Sequence, residues 1–472
     1  MLAALIVLIT VAAIIAAPFV LMAWQTRAID VIALPVWLAL AALAGPIARG
    51  RMDGRMFLLL AMAGLVARVW PMILTQGLSP AGDAQIYPAL AGTLLNDGTL
   101  HIVDRDSGID MWAFYPPMFP LMLSVWSLLF GLSTVSIFLL NLIIDVATAA
   151  AIIALGRRLV GKRAEWVAAW WYLIWPSTLM SVPFAQKEGL AVLLTLLIAI
   201  GWLDLARHAH FSVWRALGIG GLAAVLALLQ PLLAPIVLWF ALALVPWAQG
   251  RRLIGWMIIV GGSTALLMVP WWLRNWAVLG AFVPLTSAGP VSLWVGNNPA
   301  ATGYWMPTPR ARPGMNELDY GRYLGATAMD WINAHKRDFV MLTARKAIYG
   351  LSLGHYGVGR LSAAALAPPW LGHLAIIGSV AHIAVLGGTA TALARCWRSI
   401  PSQLIWLLAV GFAHLLLFGL WFEFGERHRD FLMPILFLIA ASLFSQARPG
   451  EAVPKAGEDR TPSAADRPCN RP

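Results

Sequence analysis

The feature that most constrains this chain is a series of long apolar stretches with almost no internal charge, which recur along its 472 residues. A helix of roughly 20 apolar residues is long enough to cross a hydrocarbon core of about 30 Å. Because a backbone in lipid has to satisfy its hydrogen bonds within its own segment, such spans are predicted to be helices. Hydrophobic residues make up 60% of the chain and charged residues only 12%, which excludes an ordinary soluble domain. The sequence therefore predicts an all-α polytopic membrane protein.

The apolar runs, divided at charged breaks, predict about twelve transmembrane helices. The predicted spans are 2–23, 29–48, 56–75, 134–156, 164–184, 189–206, 216–230, 232–248, 253–272, 370–392, 403–422 and 431–445. The first lacks the basic leader of a cleaved signal sequence, so it is interpreted as a retained span. Pro231 and Pro235 predict a break that makes 216–248 a hairpin of two short helices.

The charges of the short loops predict the orientation of the chain. Basic residues cluster in these loops: Arg49, Arg51 and Arg55; Arg157, Arg158, Lys162 and Arg163; Arg207 and Arg215; Arg251 and Arg252; Arg395 and Arg398. By the positive-inside rule these loops and both termini are predicted to be cytoplasmic. The segment 117–131 is then interfacial or re-entrant, because a further span there would reverse the next basic loop. The long segments 76–133 and 273–369 face the other side.

Several other classes of protein and site are not indicated. The net charge of +11 is spread among loops, whereas a nucleic-acid binder concentrates its basic residues on one face. The two cysteines, Cys396 and Cys469, do not make a disulfide framework. The tail from Ala447 is rich in proline, alanine and charge, and is predicted to be a disordered cytoplasmic extension.

The two outer segments carry most of the polar residues, beginning with the stretch SPAGDAQIYPALAGTLLNDG at 79–98. Asp83 and Tyr87 are four residues apart and share a face if this stretch is helical. One interpretation is an acid that caps a helix beside an interfacial aromatic ring. The other is a general base at the membrane edge, which would act on a substrate whose lipid part lies in the bilayer.

These motifs resemble a known family. The pattern Gly82-Asp83-x-x-x-Tyr87, followed by Ala91, Gly98 and Tyr115-Pro116-Pro117, is similar to the first periplasmic loop of GT-C superfamily glycosyltransferases. The specific resemblance is to bacterial relatives of protein O-mannosyltransferases and aminoarabinose transferases (glycosyltransferase family 39-like). Further similar segments are Arg274-Asn275, Gly280, Phe282-Val283-Pro284, Gly296-Asn297-Asn298-Pro299, Gly303, Arg427-x-Arg429 and Pro434.

The resemblance implies a GT-C-like fold in a bacterial inner membrane, with an active site that faces the periplasm. It implies inverting transfer of a sugar from a polyprenyl-phosphate donor to a lipid, cell-wall glycan or protein acceptor, with Asp83 as general base. Arg274, Lys187 and Tyr115 are the candidates for the donor phosphate, since cations and hydroxyls suit phosphate oxygens. The candidates for other substrate contacts are Tyr87, Glu188, Asn297, Asn298, Arg427 and Arg429.

The sequence also departs from the family in places. Ala84 stands where many mannosyl-transferring relatives have a second acid, and Tyr115 stands where the aminoarabinose enzymes have lysine. Asp104 and Asp106 flank Arg105 in a D-x-D pattern, which makes them weak candidates for a divalent metal, and no cofactor is predicted with certainty.

Some polar and aromatic residues have simpler interpretations. His355, Tyr356, Glu423, Glu426 and His428 are candidate substrate contacts, although each is more readily an ordinary loop residue. The outer-loop aromatic rings suit sugars or a prenyl chain, but they also suit an aromatic belt. Residues 317–347 have a spacing typical of helices on the membrane surface, where they would form a lid.

Three alternatives stay open. A lipid or sugar transporter would place ionisable groups at mid-membrane and would show two related halves. This chain has no evident repeat, and Asp145, with Asn141 in the same span, is interpreted as a contact between helices. A glycan polymerase or ligase would use a similar lipid-linked donor, and an inactive scaffold would share the motifs without the activity.

Overall fold

The computed structural model describes residues 2–7, 9–11, 33–74, 82–161, 163–208, 210–352, 354 and 374–445, most of which are helical. The helices of the first half are α1 (Ala33–Ala42), α2 (Ala44–Ala48), α3 (Gly54–Val66), α4 (Val69–Leu74), α5 (Asp83–Asp97), α6 (Met118–Phe130), α7 (Thr134–Leu159), α8 (Ala164–Leu173), α9 (Pro176–Ser181) and α10 (Glu188–Arg207). Two short strands, β1 (Ile102–Val103) and β2 (Asp110–Met111), pair antiparallel between α5 and α6.

The second half of the described chain is also helical. Its α-helices are α11 (Val213–Leu229), α12 (Ile236–Leu244), α13 (Gly250–Leu279), α14 (Ala288–Gly296), α15 (Glu317–Ala334), α16 (Lys336–Ser352), α17 (Leu374–Cys396), α18 (Ser402–His414) and α19 (Met433–Ser445). Short 3₁₀ segments lie at Pro231–Leu233, Trp247–Gln249 and Glu426–Leu432, and a π-helix lies at Leu415–Gly419. The prediction of an all-helical membrane protein agrees with this structure.

Within the described residues, six helices are long and apolar enough to cross a membrane. They are Gly54–Ile73, Thr134–Leu159, Glu188–Arg207, Trp247–Leu279, Ile377–Cys396 and Ser402–Gly419. The total of twelve spans and the sidedness of the loops stay predictions. The predicted span 164–184 is interrupted, because α8 ends at Leu173 and α9 starts afresh at Pro176, a residue that suits the first turn of a helix. The predicted tail from Ala447, together with His355 and Tyr356, lies outside the described residues.

The sequence signals that begin and end helices are visible in the structure. The carboxylate of Asp53 accepts a hydrogen bond from the Met56 amide at the start of α3, and Ser133 and Asn316 cap α7 and α15 in the same way. Gly98 and Gly280 end α5 and α13 in the left-handed conformation. The break expected in 216–248 is present, since α11 and α12 are separated by the 3₁₀ turn at Pro231.

The helices form a bundle whose outer faces are apolar. α8 lies between α7 and α19, while α10 packs on α7 and α11. α13 is peripheral and leaves large apolar side chains exposed, as expected of a helix that faces lipid: Ile254, Ile258, Leu266, Leu267, Leu273 and Trp276. α6, in the segment predicted to be interfacial or re-entrant, also exposes Val125, Leu128 and Leu129.

A buried ion pair joins the helices inside the bundle. The Arg68 guanidinium is fully buried, and its Nε donates to Asp145 Oδ2 at 2.9 Å. The Tyr172 hydroxyl donates to the other carboxylate oxygen at 2.8 Å. Asp145 is therefore a contact between helices, as the sequence predicted. Its expected companion Asn141 instead donates to the carbonyls of Val182 and Phe184, at the turn before α10.

We expect Asp145→Asn to destabilise the protein by roughly 3–5 kcal/mol, because it leaves the buried Arg68 charge without a counter-charge. The matched control is Asp204→Asn. Asp204 pairs with Arg158 at a site where both side chains are about one-third exposed, 31% and 32%, so we expect a cost within about 1 kcal/mol. Thermal unfolding of the two variants in the same detergent measures the difference. Equal losses would contradict the assignment of Arg68–Asp145 as the more important pair.

Candidate functional site

A cavity of about 860 Å³ lies where α5, the turn before α10, the Pro231–Leu233 helix and the Glu426–Leu432 helix meet. The polar residues of its lining include Asp83, Asp106, Lys187, Gln230, Glu423 and Arg427. The apolar residues of its lining, called the apolar wall below, include Ile86, Pro231, Leu232, Leu285, Phe418 and Phe422. A volume of this size is within the range of small-molecule sites, which run from about 300 to 1,000 Å³. The cavity thus offers a ligand both charged groups and an apolar surface.

Asp83 reaches the cavity because of the turn that precedes it. Gly82 has φ 59° and ψ −137°, a conformation that a side chain would strain, and it brings the chain sharply into α5. Asp83 is the first residue of that helix, where the backbone N–H groups favour a negative charge. Its side chain is 20% exposed, so the carboxylate is shielded from bulk water but accessible from the cavity.

Arg427 is the centre of the charged cluster. Its Nη1 lies 2.6 Å from Asp83 Oδ2 and 3.7 Å from Glu188 Oε1, while its Nη2 lies 3.7 Å from Glu423 Oε1. One guanidinium thus faces three carboxyl groups, of which Asp83 and Glu188 come from distant parts of the chain and Glu423 lies four residues before Arg427. Neither oxygen of the buried Glu188 has a hydrogen-bond partner among the described residues. The structure therefore brings Asp83, Glu188 and Arg427 together, as expected of residues of one site.

Lys187 supplies the second cation of the cavity. Its Nζ lies 5.5 Å from the centre of the Tyr87 ring. Burial lowers the pKa of the Lys187 ammonium, and the carboxylates of Asp83 and Glu188 oppose that shift. Tyr87 itself is buried and meets Tyr115 edge to face, with ring centres 6.3 Å apart. Burial raises the pKa of the Tyr115 hydroxyl, which therefore stays protonated beside the cavity.

The carboxyl group of Glu423 and the imidazole of His428 have strongly shifted acidities. Burial raises the pKa of Glu423 to about 7, and Arg427 opposes the shift. Burial lowers the pKa of His428 to about 3, with a further contribution from Arg427. His428 is therefore neutral at pH 7, and its Nδ1 accepts a hydrogen bond from the Gly425 amide at 3.1 Å. At neutral pH Glu423 is therefore able to gain or lose a proton, and burial likewise raises the pKa of Asp430, on the following 3₁₀ helix, to about 8.

Close backbone contacts hold the segment that carries Glu423. A side chain at Gly296 would place its Cβ 2.5 Å from the Phe422 carbonyl carbon and 2.7 Å from the Glu423 nitrogen. The Phe424 amide donates to the Gly303 carbonyl at 3.0 Å. The glycines of the family-like motif thus allow α14 and the following loop to lie directly against residues 422–424.

A buried lysine and an asparagine tie the outer helices to the same segment. Lys346 is fully buried in α16, and its Nζ donates to Asn297 Oδ1 and to the Leu420 carbonyl, both at 3.0 Å. Asn297 Nδ2 in turn donates to the Trp421 carbonyl at 2.6 Å. Burial lowers the pKa of Lys346 to about 8. These bonds position the backbone beside the cavity, and Asn297 is occupied by them.

Three other candidates from the sequence are also engaged elsewhere. Arg274 donates to the carbonyls of Trp112 and Leu100 at 2.8 and 2.7 Å, and it is not among the described residues that line the cavity. Asn298 holds its own loop through the Trp294 carbonyl and the Ala300 amide. Arg429 is buried and donates to the Gly350 carbonyl. These three side chains thus make contacts within the fold, and their predicted substrate contacts stay predictions.

The D-x-D segment forms part of the outer wall of the cavity. Asp104 accepts hydrogen bonds from the Ser107 amide and hydroxyl, at 2.8 and 2.6 Å, so it stabilises its own turn. Asp106 also lines the cavity. In the part of the chain that the structure describes, no group of three or more His, Cys, Asp or Glu side chains is arranged to hold a metal ion. Metal binding by the two aspartates stays a prediction.

Sequence reasoning missed two residues that organise the site. Glu317 is buried and accepts from the amides of Trp112 and Ala113 at 2.6 and 3.1 Å, which ties α15 to the first outer loop. Lys346 was the other. Each looks like an ordinary residue of an amphipathic helix, so the sequence contains no local signal for either contact.

We expect Gly296→Ala to destabilise the protein by about 1–3 kcal/mol, because the added methyl group overlaps the backbone at Phe422 and Glu423. The matched control is Gly92→Ala in α5, where an added Cβ has nothing within 4 Å. That change should be neutral or stabilising by up to about 1 kcal/mol. Thermal unfolding in detergent measures both, and an undisturbed Gly296→Ala protein would show that the contact is not tight.

Comparison with known proteins finds similarity among solved structures. No protein-family model matches the sequence, and no curated protein matches it. An oligosaccharyltransferase of Archaeoglobus fulgidus, solved with Zn and sulfate, is 13% identical with a TM-score of 0.47, covering 80% of this chain and 48% of that one. The oligosaccharyltransferase AglB of Archaeoglobus fulgidus, solved with an inhibitory peptide and a dolichol-phosphate, is 12% identical with a TM-score of 0.46, covering 80% and 50%.

A shorter similar structure is ArnT from Cupriavidus metallidurans, bound to undecaprenyl phosphate. It is 14% identical with a TM-score of 0.42, covering 83% of this chain and 77% of that one. This chain spans about half the length of the two archaeal proteins. The function proposed below rests on the residues of the cavity.

Proposed function

We propose that this chain is an inverting membrane glycosyltransferase, which moves a sugar from a polyprenyl-phosphate donor to the hydroxyl of an acceptor outside the cytoplasm. The observation that carries the proposal is a cavity whose lining combines the carboxylate of Asp83, the cations Lys187 and Arg427, and the apolar wall. A substrate with a sugar, a phosphate and a hydrocarbon chain has the three chemistries that these surfaces match.

The cations define where the phosphate binds. Lys187 lines the cavity, and its Nζ lies over the Tyr87 ring. Among the described residues, this Nζ donates no hydrogen bond. Arg427 lies beside it and presents a fork that suits two phosphate oxygens. Both act where water is partly excluded, and there such contacts are stronger than in bulk solvent. In this proposal Lys187 and Arg427 bind the phosphate, for which the sequence predicted Arg274, Lys187 and Tyr115.

The apolar wall defines where the lipid chain leaves the cavity. Leu232 and Pro231 belong to the 3₁₀ turn between the short helices α11 and α12, and Phe418 belongs to the π-helix after α18. Irregular backbone within a membrane protein is tolerated where it lines a cavity. A hydrocarbon chain that lies against these side chains would leave its phosphate beside Arg427.

Asp83 acts as the general base in this proposal. Its carboxylate accepts the proton of the acceptor hydroxyl while that oxygen attacks the anomeric carbon from the side opposite the phosphate, which inverts the configuration. The ion pair with Arg427 keeps Asp83 charged before the acceptor arrives. As the bond to phosphate breaks, Lys187 and Arg427 stabilise the developing negative charge.

We expect Asp83→Asn to lower transfer by about 10²–10⁴-fold, because it keeps the shape of the side chain and removes the base. The measurement is mass spectrometry of polyprenyl-phosphate sugars in cells that lack this gene and carry each variant. The wild type should clear the donor that accumulates, and Asp83→Asn should not. Asp97→Asn, at the exposed far end of the same helix, should behave as the wild type. Full clearance by Asp83→Asn at equal protein level would refute the role of Asp83.

We expect Arg427→Met and Lys187→Met each to weaken the binding of farnesyl phosphate by about 10–100-fold, the value of a charge-assisted hydrogen bond. Farnesyl phosphate is a soluble probe that carries the phosphate and a short prenyl chain. Titration calorimetry on the purified protein in detergent measures the affinity. Arg322→Met, which removes a 77% exposed guanidinium on α15, is the control and should bind as the wild type does. An unchanged affinity in both cavity variants would place the phosphate elsewhere.

A further inference from the structure

The cavity contains a second carboxyl group that the mechanism above does not use. Glu423 lines the same cavity as Asp83 and has a side chain that is 12% exposed. The two carboxyl groups face different terminal nitrogens of Arg427, Asp83 at 2.6 Å from Nη1 and Glu423 at 3.7 Å from Nη2. A phosphate bound on the Nη2 side of the guanidinium would therefore lie within reach of Glu423, with Asp83 on the other side of the sugar.

The surroundings of these two carboxyl groups differ. Asp83 makes the close ion pair with Arg427, which favours its charged form. Glu423 is held more deeply and further from the same cation, and burial raises its pKa to about 7. Two carboxyl groups whose environments favour opposite charge states are a typical arrangement of a base and an acid.

The chemistry of the leaving group creates a need for an acid. A sugar linked to a polyprenyl phosphate is a phosphodiester with one negative charge. If its sugar–oxygen bond breaks without protonation, the phosphate leaves as a dianion, and Lys187 and Arg427 have to balance that charge together with the charge of Glu188 beside an apolar wall. Negative charge in such a partly dry site is costly. A proton delivered to the departing oxygen keeps the phosphate a monoanion.

We propose that Glu423 is the general acid of the transfer step and delivers its proton to the phosphate oxygen released from the sugar. This inference rests on the proposed function. The acceptor oxygen–carbon bond forms as the carbon–phosphate oxygen bond breaks, and the electron pair of the broken bond takes the Glu423 proton. The acceptor proton goes to Asp83. Asp83 then loses a proton to water and Glu423 regains one, so no proton is gained or lost over a full turn.

The backbone contacts described above suit the role of Glu423 as a proton donor. Gly296 lies directly against the Phe422–Glu423 backbone, and the Phe424 amide is bound to the Gly303 carbonyl. Glu423 is thus carried by a segment with little freedom, which keeps a proton donor at a fixed distance from the phosphate. The sequence alone offered Glu423 as a candidate substrate contact, with an ordinary loop residue as the simpler interpretation.

Several groups near Glu423 bear on the pH dependence. The charged and titratable neighbours are Asp83 on α5, Lys187 and Glu188 at the start of α10, Lys346 on α16, and Arg427 and His428 on the following 3₁₀ helix. His428 is neutral above about pH 3. Loss of a proton from Lys187 or Lys346 at high pH would also weaken phosphate binding. The test therefore compares the wild type with Glu423→Gln, which keeps both lysines.

The first test uses the binding of farnesyl phosphate between pH 6 and 9. A protonated Glu423 hydrogen-bonds to the phosphate, so above about pH 7 binding should take up one proton and the wild-type affinity should fall about tenfold per pH unit. In Glu423→Gln this slope should disappear, and calorimetry in buffers of different ionisation enthalpy should find about one proton fewer taken up at pH 8. Glu188→Gln, which changes a carboxylate at the same 3.7 Å from Arg427, should alter the affinity but keep the slope.

The second test uses turnover of the accumulated polyprenyl-phosphate sugar. Glu423→Gln should lower kcat by about 10²-fold or more with little change in KM, and it should remove the fall in kcat above about pH 7. Glu423→Asp should recover part of the rate, which a merely structural role would not produce.

The outcomes separate the two proposals. A wild-type protein that does not bind farnesyl phosphate would refute the proposed function itself. Normal binding together with a full pH slope and full turnover in Glu423→Gln would overturn only the role of Glu423, and the slope would then belong to another titrating group, such as a lysine, Asp430 or the phosphate of the probe.

Discussion

The structure of the site depends on one partly buried guanidinium. Arg427 lies in a cavity wall where its charge is poorly hydrated, so it needs counter-charges that the fold has to bring to it. Asp83 and Glu188 supply them from the starts of α5 and α10, and the carboxyl group of Glu423 lies 3.7 Å from Nη2 on the turn that leads to Arg427. The positions of these three segments are therefore linked, and the cavity is the space that they enclose.

The same interaction explains how one cavity serves a lipid-linked substrate. In the free protein the carboxylate of Asp83 forms an ion pair with Arg427, and a phosphate that binds Arg427 weakens this pair. Phosphate binding is therefore coupled to the release of Asp83, the base. The apolar wall and the shielded position strengthen each of these electrostatic contacts. Lys187 adds a further positive charge. Its ammonium group lies in the cavity beside Tyr87 and forms no salt bridge with the described residues.

The sequence predicted the local features of the fold and part of the site. The apolar runs predicted the long helices. Asp83, Tyr87 and Lys187 were predicted as site residues because they lie at the edges of such runs, where ionisable residues are often functional. It could not pair Arg427 with Asp83, which lie 344 residues apart. The same reasoning from position predicted Arg274 as a site residue, but its guanidinium donates hydrogen bonds to nearby carbonyls. No local sequence pattern shows which partner a side chain contacts.

The most direct test of the central claim is a structure of the wild-type protein with a polyprenyl phosphate bound, determined in a lipid nanodisc. The account predicts phosphate oxygens within hydrogen-bond distance of both Arg427 and Lys187, with the prenyl chain along Leu232 and Phe418. It also predicts a longer distance between Arg427 and Asp83 than the 2.6 Å of the free protein. A phosphate bound at Arg274, or on the opposite face of the membrane, would contradict it.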